Sequence, residues 1–342
     1  MLGIAVREFG VRQGAYEHIG VIGGGAWGTA LALAAARAGR HVSLWARGTE
    51  AVQSLRTQRE NIRYLPGIKM PDAIAVPAGL REAASADALL LVVPAQHIRS
   101  ILSALRPVLG EQIPLIVCAK GLERSSGKLM TEVVGEFVGE DRIGILSGPS
   151  FARDVALGLP TAVTVAAPGQ TAQRLQWALG STTFRPYASD DVVGVALGGA
   201  AKNVYAIACG IVAGMGLGES ARAALLARSF AELRRLGEAL GAKPETLMGL
   251  SGLGDLVLTA SSSTSRNFSF GFAIGKGRTR AELDAQGHPL AEGVETAPAL
   301  VARAARQGIE LPIAETAAAI LDGSLPLDAA MARLMERPLK AE

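Results

Sequence analysis

Two adjacent polar residues, Lys202 and Asn203, interrupt a segment (192–218) that is otherwise apolar or glycine. An ammonium there marks either a membrane span with a defect or a core helix built around a functional lysine. Placing Lys202 near a bilayer centre costs about 2.5–3.5 kcal/mol on insertion scales. The segment also lacks basic flanks, since Asp190 and Asp191 precede it and Glu219 follows. A core helix with a functional lysine is the better reading, and no transmembrane segment is expected. A second lysine, Lys120, follows the β-rich run that ends near Cys118. Ligands of open parallel sheets collect at the carboxyl ends of strands, which suits a lysine placed there. SGPSFA (147–152) follows another such run and brings backbone N–H groups and the Ser150 hydroxyl to the same edge. Asp255 sits within an apolar, glycine-rich stretch, and Ser265, Arg266 and Asn267 follow a polar loop. Arginine, asparagine and serine at a helix start offer a charged fork and neutral donors, a sound phosphate clamp. A capped helix with a surface arginine accounts for the same triplet.

Gly23, Gly25 and Gly28 form GxGxxG between the strand-like HIGVI (18–22) and a helical pattern over 26–38. In that frame Gly23 makes the tight turn, Gly25 admits a pyrophosphate to the backbone, and Gly28 lets helix pack on strand. The helix N-terminus completes a dinucleotide site. An NAD site expects an acidic residue about 20 residues on, at the end of the second strand. Ala46 and Arg47 stand there instead. A guanidinium suits a 2′-phosphate, so NADP is tolerated or preferred beside NAD; an exposed surface arginine without a ligand accounts for the same residue. GLERSSGK (121–128) is one residue too long for a phosphate-binding P-loop, and Leu129 replaces the magnesium-binding hydroxyl. Ser150 lacks GxSxG context and an activating histidine, which speaks against a serine hydrolase. The four histidines make no metal-ligand spacing, and no metal is expected.

Positioning such residues takes more than one domain. At 342 residues the chain has room for about two domains of roughly 100–200 residues. Hydrophobic residues make up 49% and charged ones 19%, so a large core is available and disorder is not expected. The net charge of +3 is not clustered, which speaks against nucleic-acid binding and fits a few cations aimed at an anionic metabolite. Cys118 and Cys209 read as buried, reduced thiols of a cytoplasmic protein. No secretory signal is evident in the first residues. Strand-like runs at 18–22, 41–45, 74–76, 88–93, 115–118 and 143–146 alternate with helical patterns, and 161–166 and 183–185 extend the series. Such alternation predicts an α/β, Rossmann-like doubly wound parallel sheet covered on both faces. From Asp190 onward Ala/Leu/Glu/Arg-rich segments predict an all-α domain. The expected division is an unassigned extension (1–17), a dinucleotide-binding domain (18–188) and a helical substrate domain (189–342).

In order along the chain, GGGAWG, VPAQ, CAKGLE, LSGPSFA, AKNVYAIACGI, GLGDLVLT, SRNFSFG and AEGVETA resemble the bacterial type of NAD(P)-dependent glycerol-3-phosphate dehydrogenase. The resemblance covers nearly the whole chain from about His18. It implies reversible reduction of dihydroxyacetone phosphate to sn-glycerol 3-phosphate, supplying glycerophospholipid synthesis. It further implies that Lys202 is the catalytic proton donor and acceptor and also touches substrate. Lys120 then contacts both cofactor and substrate. Gly148, Ser150, Asp255, Ser265, Arg266 and Asn267 fall on the substrate pocket, and Arg266 also on the cofactor. Gly23, Gly25, Ala26, Trp27, Gly28, Arg47, Ala152, Leu290 and Glu292 fall on cofactor contacts.

The loop reads GGGAWG where the family usually has a GAGSWG-like sequence, so a hydroxyl near the pyrophosphate is missing and backbone donors must compensate. Ala260 stands where a cysteine is common. Two other functions fit parts of the pattern: a Rossmann-type reductase of a β-hydroxyacid or ketopantoate, and a non-catalytic NADP sensor. A sensor has no need of Lys202, and the other reductase needs a carboxylate clamp in place of a phosphate clamp. The sequence leaves open cofactor preference, feedback inhibition, direction and oligomeric state, a homodimer included. Carbonyl reduction delivers hydride to carbon and a proton to oxygen, so a cation belongs in a dry pocket beside that oxygen. Burial lowers a lysine's pKa and a nearby carboxylate restores it. Asp255 is the expected partner.

Overall fold

The computed structural model describes residues 14–335. Most of the proposed extension (1–17) lies outside them. Residues 14–17 join the sheet domain: Tyr16 is buried beneath the Arg174 guanidinium, whose Nε donates to the Gly14 carbonyl at 2.7 Å.

Eight strands form one sheet: β1 (His18–Ile22), β2 (His41–Trp45), β3 (Ile74–Ala75), β4 (Ala88–Leu91), β5 (Leu115–Val117), β6 (Ile143–Ser147), β7 (Thr161–Ala166) and β8 (Phe184–Ser189). Their order is β3-β2-β1-β4-β5-β6-β7-β8. Strands β1 to β6 pair in parallel, and the alternating runs read from the sequence fall on them within a few residues. Their near-continuous apolar sequences follow from burial on both faces; all of β4 is buried. The chain reverses between β1 and β4, the kind of switch point at which open α/β sheets bind ligands.

One expectation needs correction. The sheet is not wholly parallel: β7 runs antiparallel to β6, and β8 runs parallel to β7. The segment 148–160 leaves the carboxyl edge of β6 and re-enters the sheet from that edge after the short helix Ala152–Leu157. No crossover to the opposite edge is made, so an antiparallel pair results. The loop with Gly148 and Ser150 is thereby held between two paired strands.

After β8 every described element is helical. The most apolar 18-residue window of the helix Val192–Gly214 has a mean hydropathy of 1.5, yet 94% of it is buried inside the protein. It is the core helix expected from the placement of Lys202. The helix Arg266–Gly275 crosses it at close range. A Cβ on Gly210 would lie 2.2 Å from the Phe268 carbonyl oxygen, and one on Gly271 would lie 2.1 Å from that of Ile207. Glycine inside a helix costs about 0.5–1 kcal/mol relative to alanine. Here it permits backbone contact that brings Asn267 against the long helix. The core under one sheet face continues into this helical region, joining Leu115 and Ile143 to Val195 and Leu197.

Candidate functional site

Asp255 is the hub of the site. It is fully buried at the start of the helix Asp255–Ser261, directly after a π-helical turn at Leu250–Gly254. Such turns are frequent at functional sites. Lys202 Nζ donates to Asp255 Oδ1 at 2.7 Å, and Lys120 Nζ donates to Oδ2 at 2.6 Å. One carboxylate therefore gathers a lysine from the long helix and a lysine from the loop after β5. Thr259, one turn beyond Asp255, accepts from Lys202 at 2.8 Å and donates to Asp255 Oδ1 at 3.2 Å. Lys120 also donates to the Gly148 carbonyl at 3.0 Å, as does the Ser150 hydroxyl. Each ammonium has three donors and uses two, which leaves one N–H on each for an incoming oxygen.

The electrostatics follow from that geometry. Lys202 is 7% exposed, and burial lowers its pKa from 10.5 to about 8. Asp255 pulls it upward, and the like charge of Lys120 pushes it further down. Burial would raise the Asp255 carboxyl, but the two ammoniums outweigh it and hold the group below the usual carboxylate range. Two cations facing one anion leave net positive charge, the complement of a phosphorylated substrate. A lysine near pH 8 suits proton transfer in either direction.

Asn203, beside Lys202, donates to the Lys120 carbonyl at 2.9 Å and accepts from Asn267 Nδ2 at 2.9 Å. Asn267 Oδ1 in turn accepts from the Gly293 N–H at 2.9 Å. Asn267 thus has one amide hydrogen left for a ligand. Ser265 is buried and caps its helix, accepting from the Phe268 N–H at 3.2 Å. The capped-helix reading is therefore correct for Ser265. Arg266 is exposed and makes no hydrogen bond or ion pair among the described residues. Its charge nevertheless acts on Glu292, whose pKa is raised by burial against the pull of Arg266. Leu290, 51% exposed, lies just before Glu292.

The glycine turn has the shape a dinucleotide requires. A Cβ on Gly28 would lie 1.8 Å from the Gly23 carbonyl oxygen, while one on Gly25 would meet nothing within 4 Å. Gly25 leads into the helix Ala26–Arg37 without a side-chain cap, so its first N–H groups await an acceptor. The Trp27 indole N–H is buried without a partner beside them. Ala152 opens the helix after the Gly148–Ser150 loop. Arg47 is exposed just past β2, with no hydrogen bond or ion pair among the described residues. The residues present fit a dinucleotide pyrophosphate.

In the 121–128 loop Glu123 pairs with Arg99 at 2.8 Å and accepts from Ser126 at 2.6 Å, so the Ser126 hydroxyl is already donated to a carboxylate. Among the described residues no cluster of metal-ligating side chains occurs. Cys118 and Cys209 are free and buried; burial pushes the Cys209 thiol up to about 12. Thr259 and the amide chain through Asn203 were missed from sequence. Thr259 carried a signal, since residues i and i+4 share a helix face.

Two family models match the chain. The N-terminal model of NAD-dependent glycerol-3-phosphate dehydrogenase matches residues 18–173, and the C-terminal model matches residues 191–332. A glycerol-3-phosphate dehydrogenase [NAD(P)+] of Parvibaculum lavamentivorans is 54% identical over 96% of this chain and 99% of its own length. A Bradyrhizobium (strain ORS 278) protein of the same name is 57% identical, covering 96% and 98%. The crystal structure of glycerol-3-phosphate dehydrogenase from Coxiella burnetii superposes with a TM-score of 0.89 at 36% identity, covering 95% of this chain and 100% of that one. This chain belongs to the NAD-dependent glycerol-3-phosphate dehydrogenase family.

Proposed function

We propose that this chain reduces dihydroxyacetone phosphate reversibly to sn-glycerol 3-phosphate with NADPH or NADH, and that Lys202 carries the proton. The observation that supports it most is the Lys202–Asp255–Lys120 arrangement at the meeting of the glycine-turn domain and the helical region. The cofactor, when bound, supplies hydride to the carbonyl carbon. Lys202, through its remaining N–H, binds the carbonyl oxygen and gives it a proton as negative charge develops. Lys120 polarises the same end of the substrate, and Asp255 holds both lysines in place. In the reverse direction neutral Lys202 takes the hydroxyl proton. Burial of Asp255 and Lys202 excludes water that would screen these charges.

The substrate phosphate is assigned to Arg266, to the remaining amide hydrogen of Asn267 and to the first N–H groups of the helix Arg266–Gly275. Helix N-termini favour anions. Arg47 is assigned to a 2′-phosphate, favouring NADPH over NADH, and Glu292 and Leu290 to the cofactor's other end. The domains of the working enzyme are taken as 18–188 for cofactor and 189–342 for substrate. A cytoplasmic setting accords with the free thiols of Cys118 and Cys209, and a homodimer is compatible with this reading.

A charge-assisted hydrogen bond is worth roughly 1.5–3 kcal/mol. Arg266→Ala is therefore expected to raise the KM for dihydroxyacetone phosphate by about one to two orders of magnitude. NADPH oxidation measured with dihydroxyacetone phosphate and with dihydroxyacetone checks this. The variant should lose its preference for the phosphorylated substrate. An unchanged ratio between the two substrates would place the phosphate elsewhere.

A further inference from the structure

Asn61 lies in the loop between the helix Thr49–Thr57 and β3, far in sequence from the glycine turn. Its side chain is 6% exposed and makes three hydrogen bonds. Nδ2 donates to the Gly24 carbonyl at 3.0 Å and to Thr29 Oγ1 at 2.7 Å, and Oδ1 accepts from the Tyr64 N–H at 3.3 Å. Both Nδ2 bonds go to the turn and the helix it opens.

The loop that carries Asn61 is built to hold its place. Glu60 bridges to Lys69 across the loop, with an ion pair of 2.8 Å. Arg59, with φ of 50°, is the one non-glycine residue at positive φ among the described residues. Its guanidinium donates to the carbonyls of Pro71 and Ile74. A non-glycine residue keeps such a conformation only where its surroundings over-determine it. The strain sits two residues before Asn61.

A trans peptide is planar, so the carbonyl of Gly24 and the N–H of Gly25 point in opposite directions. Tying that carbonyl to Asn61 turns the Gly25 N–H to the other side of the peptide. Gly25 is the N-cap of the helix Ala26–Arg37, so its N–H adds to the unsatisfied donors at that end. We propose that Asn61 is a positioning residue for the dinucleotide: it fixes the Gly24–Gly25 peptide with its N–H aimed at the pyrophosphate. This rests on the reading that the Gly23–Gly28 turn holds the cofactor.

The pyrophosphate is common to NADH and NADPH, so both should respond alike. Asn61→Ala is expected to raise the Kd for each cofactor by about tenfold, the loss of one well-placed hydrogen bond. At saturating cofactor, kcat and the KM for dihydroxyacetone phosphate should stay within about twofold of the parent, which a general structural defect would not allow. Thr29→Val removes only the second acceptor and should bind both cofactors within about twofold of the parent. Asn61→Ser leaves no group long enough to reach Gly24 and carries the same expectation should the alanine variant not fold. Fluorescence titration with NADH and with NADPH, beside a melting curve, reads all of these. An unchanged Kd, an effect confined to NADPH, or equal losses in kcat and substrate KM would overturn the proposal. A parent protein that binds neither cofactor would overturn the reading of the turn itself.

Discussion

Lys202→Met is expected to give a folded protein that still binds NADPH, with turnover lowered by at least about 10²–10⁴-fold, the usual contribution of a positioned acid or base. Fold and function separate here because Asp255 has two partners. With Lys202 gone, Lys120 still donates to Asp255 Oδ2, so no anion is left unpaired. Removing one partner of a buried ion pair is costly because it leaves an uncompensated charge, and here Lys120 keeps that charge compensated. Lys202→Arg should not rescue turnover, since a guanidinium does not release its proton near neutral pH. The parent's pH profile follows the same logic. With Lys202 depressed to about 8, the ammonium needed for reduction is lost as pH rises through that value, while the neutral amine needed for oxidation is gained. Reduction should fall and oxidation rise across pH 8, and the methionine variant should lose both inflections. Stability has its own sign. Between about pH 8 and 10.5 the unfolded chain holds the lysine proton more tightly, so the cost of burying Lys202 shrinks as pH rises. Single-turnover rates and melting curves across this range check both statements.

Asp255→Asn is expected to do more damage to the fold than Lys202→Met. The amide keeps the shape but removes the charge that two buried or half-buried ammoniums share. Removing one partner of a buried pair costs about 3–5 kcal/mol. Without its anion, Lys202 is left with desolvation and the repulsion of Lys120, so its pKa should fall further and its proton be lost at neutral pH. Turnover in the reductive direction should therefore collapse even under conditions where the variant stays folded. Combining Lys202→Met with Asp255→Asn should recover stability relative to Asp255→Asn alone, because one of the two stranded charges is gone. Denaturant titration of the three variants measures that coupling. A stable Asp255→Asn protein with near-parental turnover would show that Asp255 is not the shared anion.

Much of this site was legible in the sequence because its residues violate local composition. Lys202 and Asp255 stand out as charges in apolar segments, and the glycine turn lies between a strand and a helix. What was not legible depends on contacts distant in sequence. Nothing near Lys120 indicates that it would share Asp255, 135 residues away. The reversal of β7 depends on a loop that turns back on one sheet edge, which apolar runs do not encode. The π-helical turn before Asp255 leaves no mark in a helical period either. Asn267 read as a phosphate ligand, yet most of its amide is spent on Asn203 and Gly293. The helix crossing does leave a mark: GIVAG (210–214) and GFAIG (271–275) carry matching glycines four residues apart. These are the pairs at which the two helices approach backbone to backbone. Asn61 carried no signal at all, since a loop asparagine is ordinary until the fold sets it against Gly24.

The central claim is that hydride and proton meet on one substrate carbonyl beside Lys202. The direct measurement supplies purified protein with dihydroxyacetone phosphate and NADPH deuterated at the transferred position, then locates the label in the product by NMR. The expected product is glycerol 3-phosphate with deuterium at C2, formed in step with NADP, and formed negligibly by Lys202→Met under the same conditions. Glycerol 3-phosphate without deuterium at C2, no product at all, or equal product from Lys202→Met would contradict it.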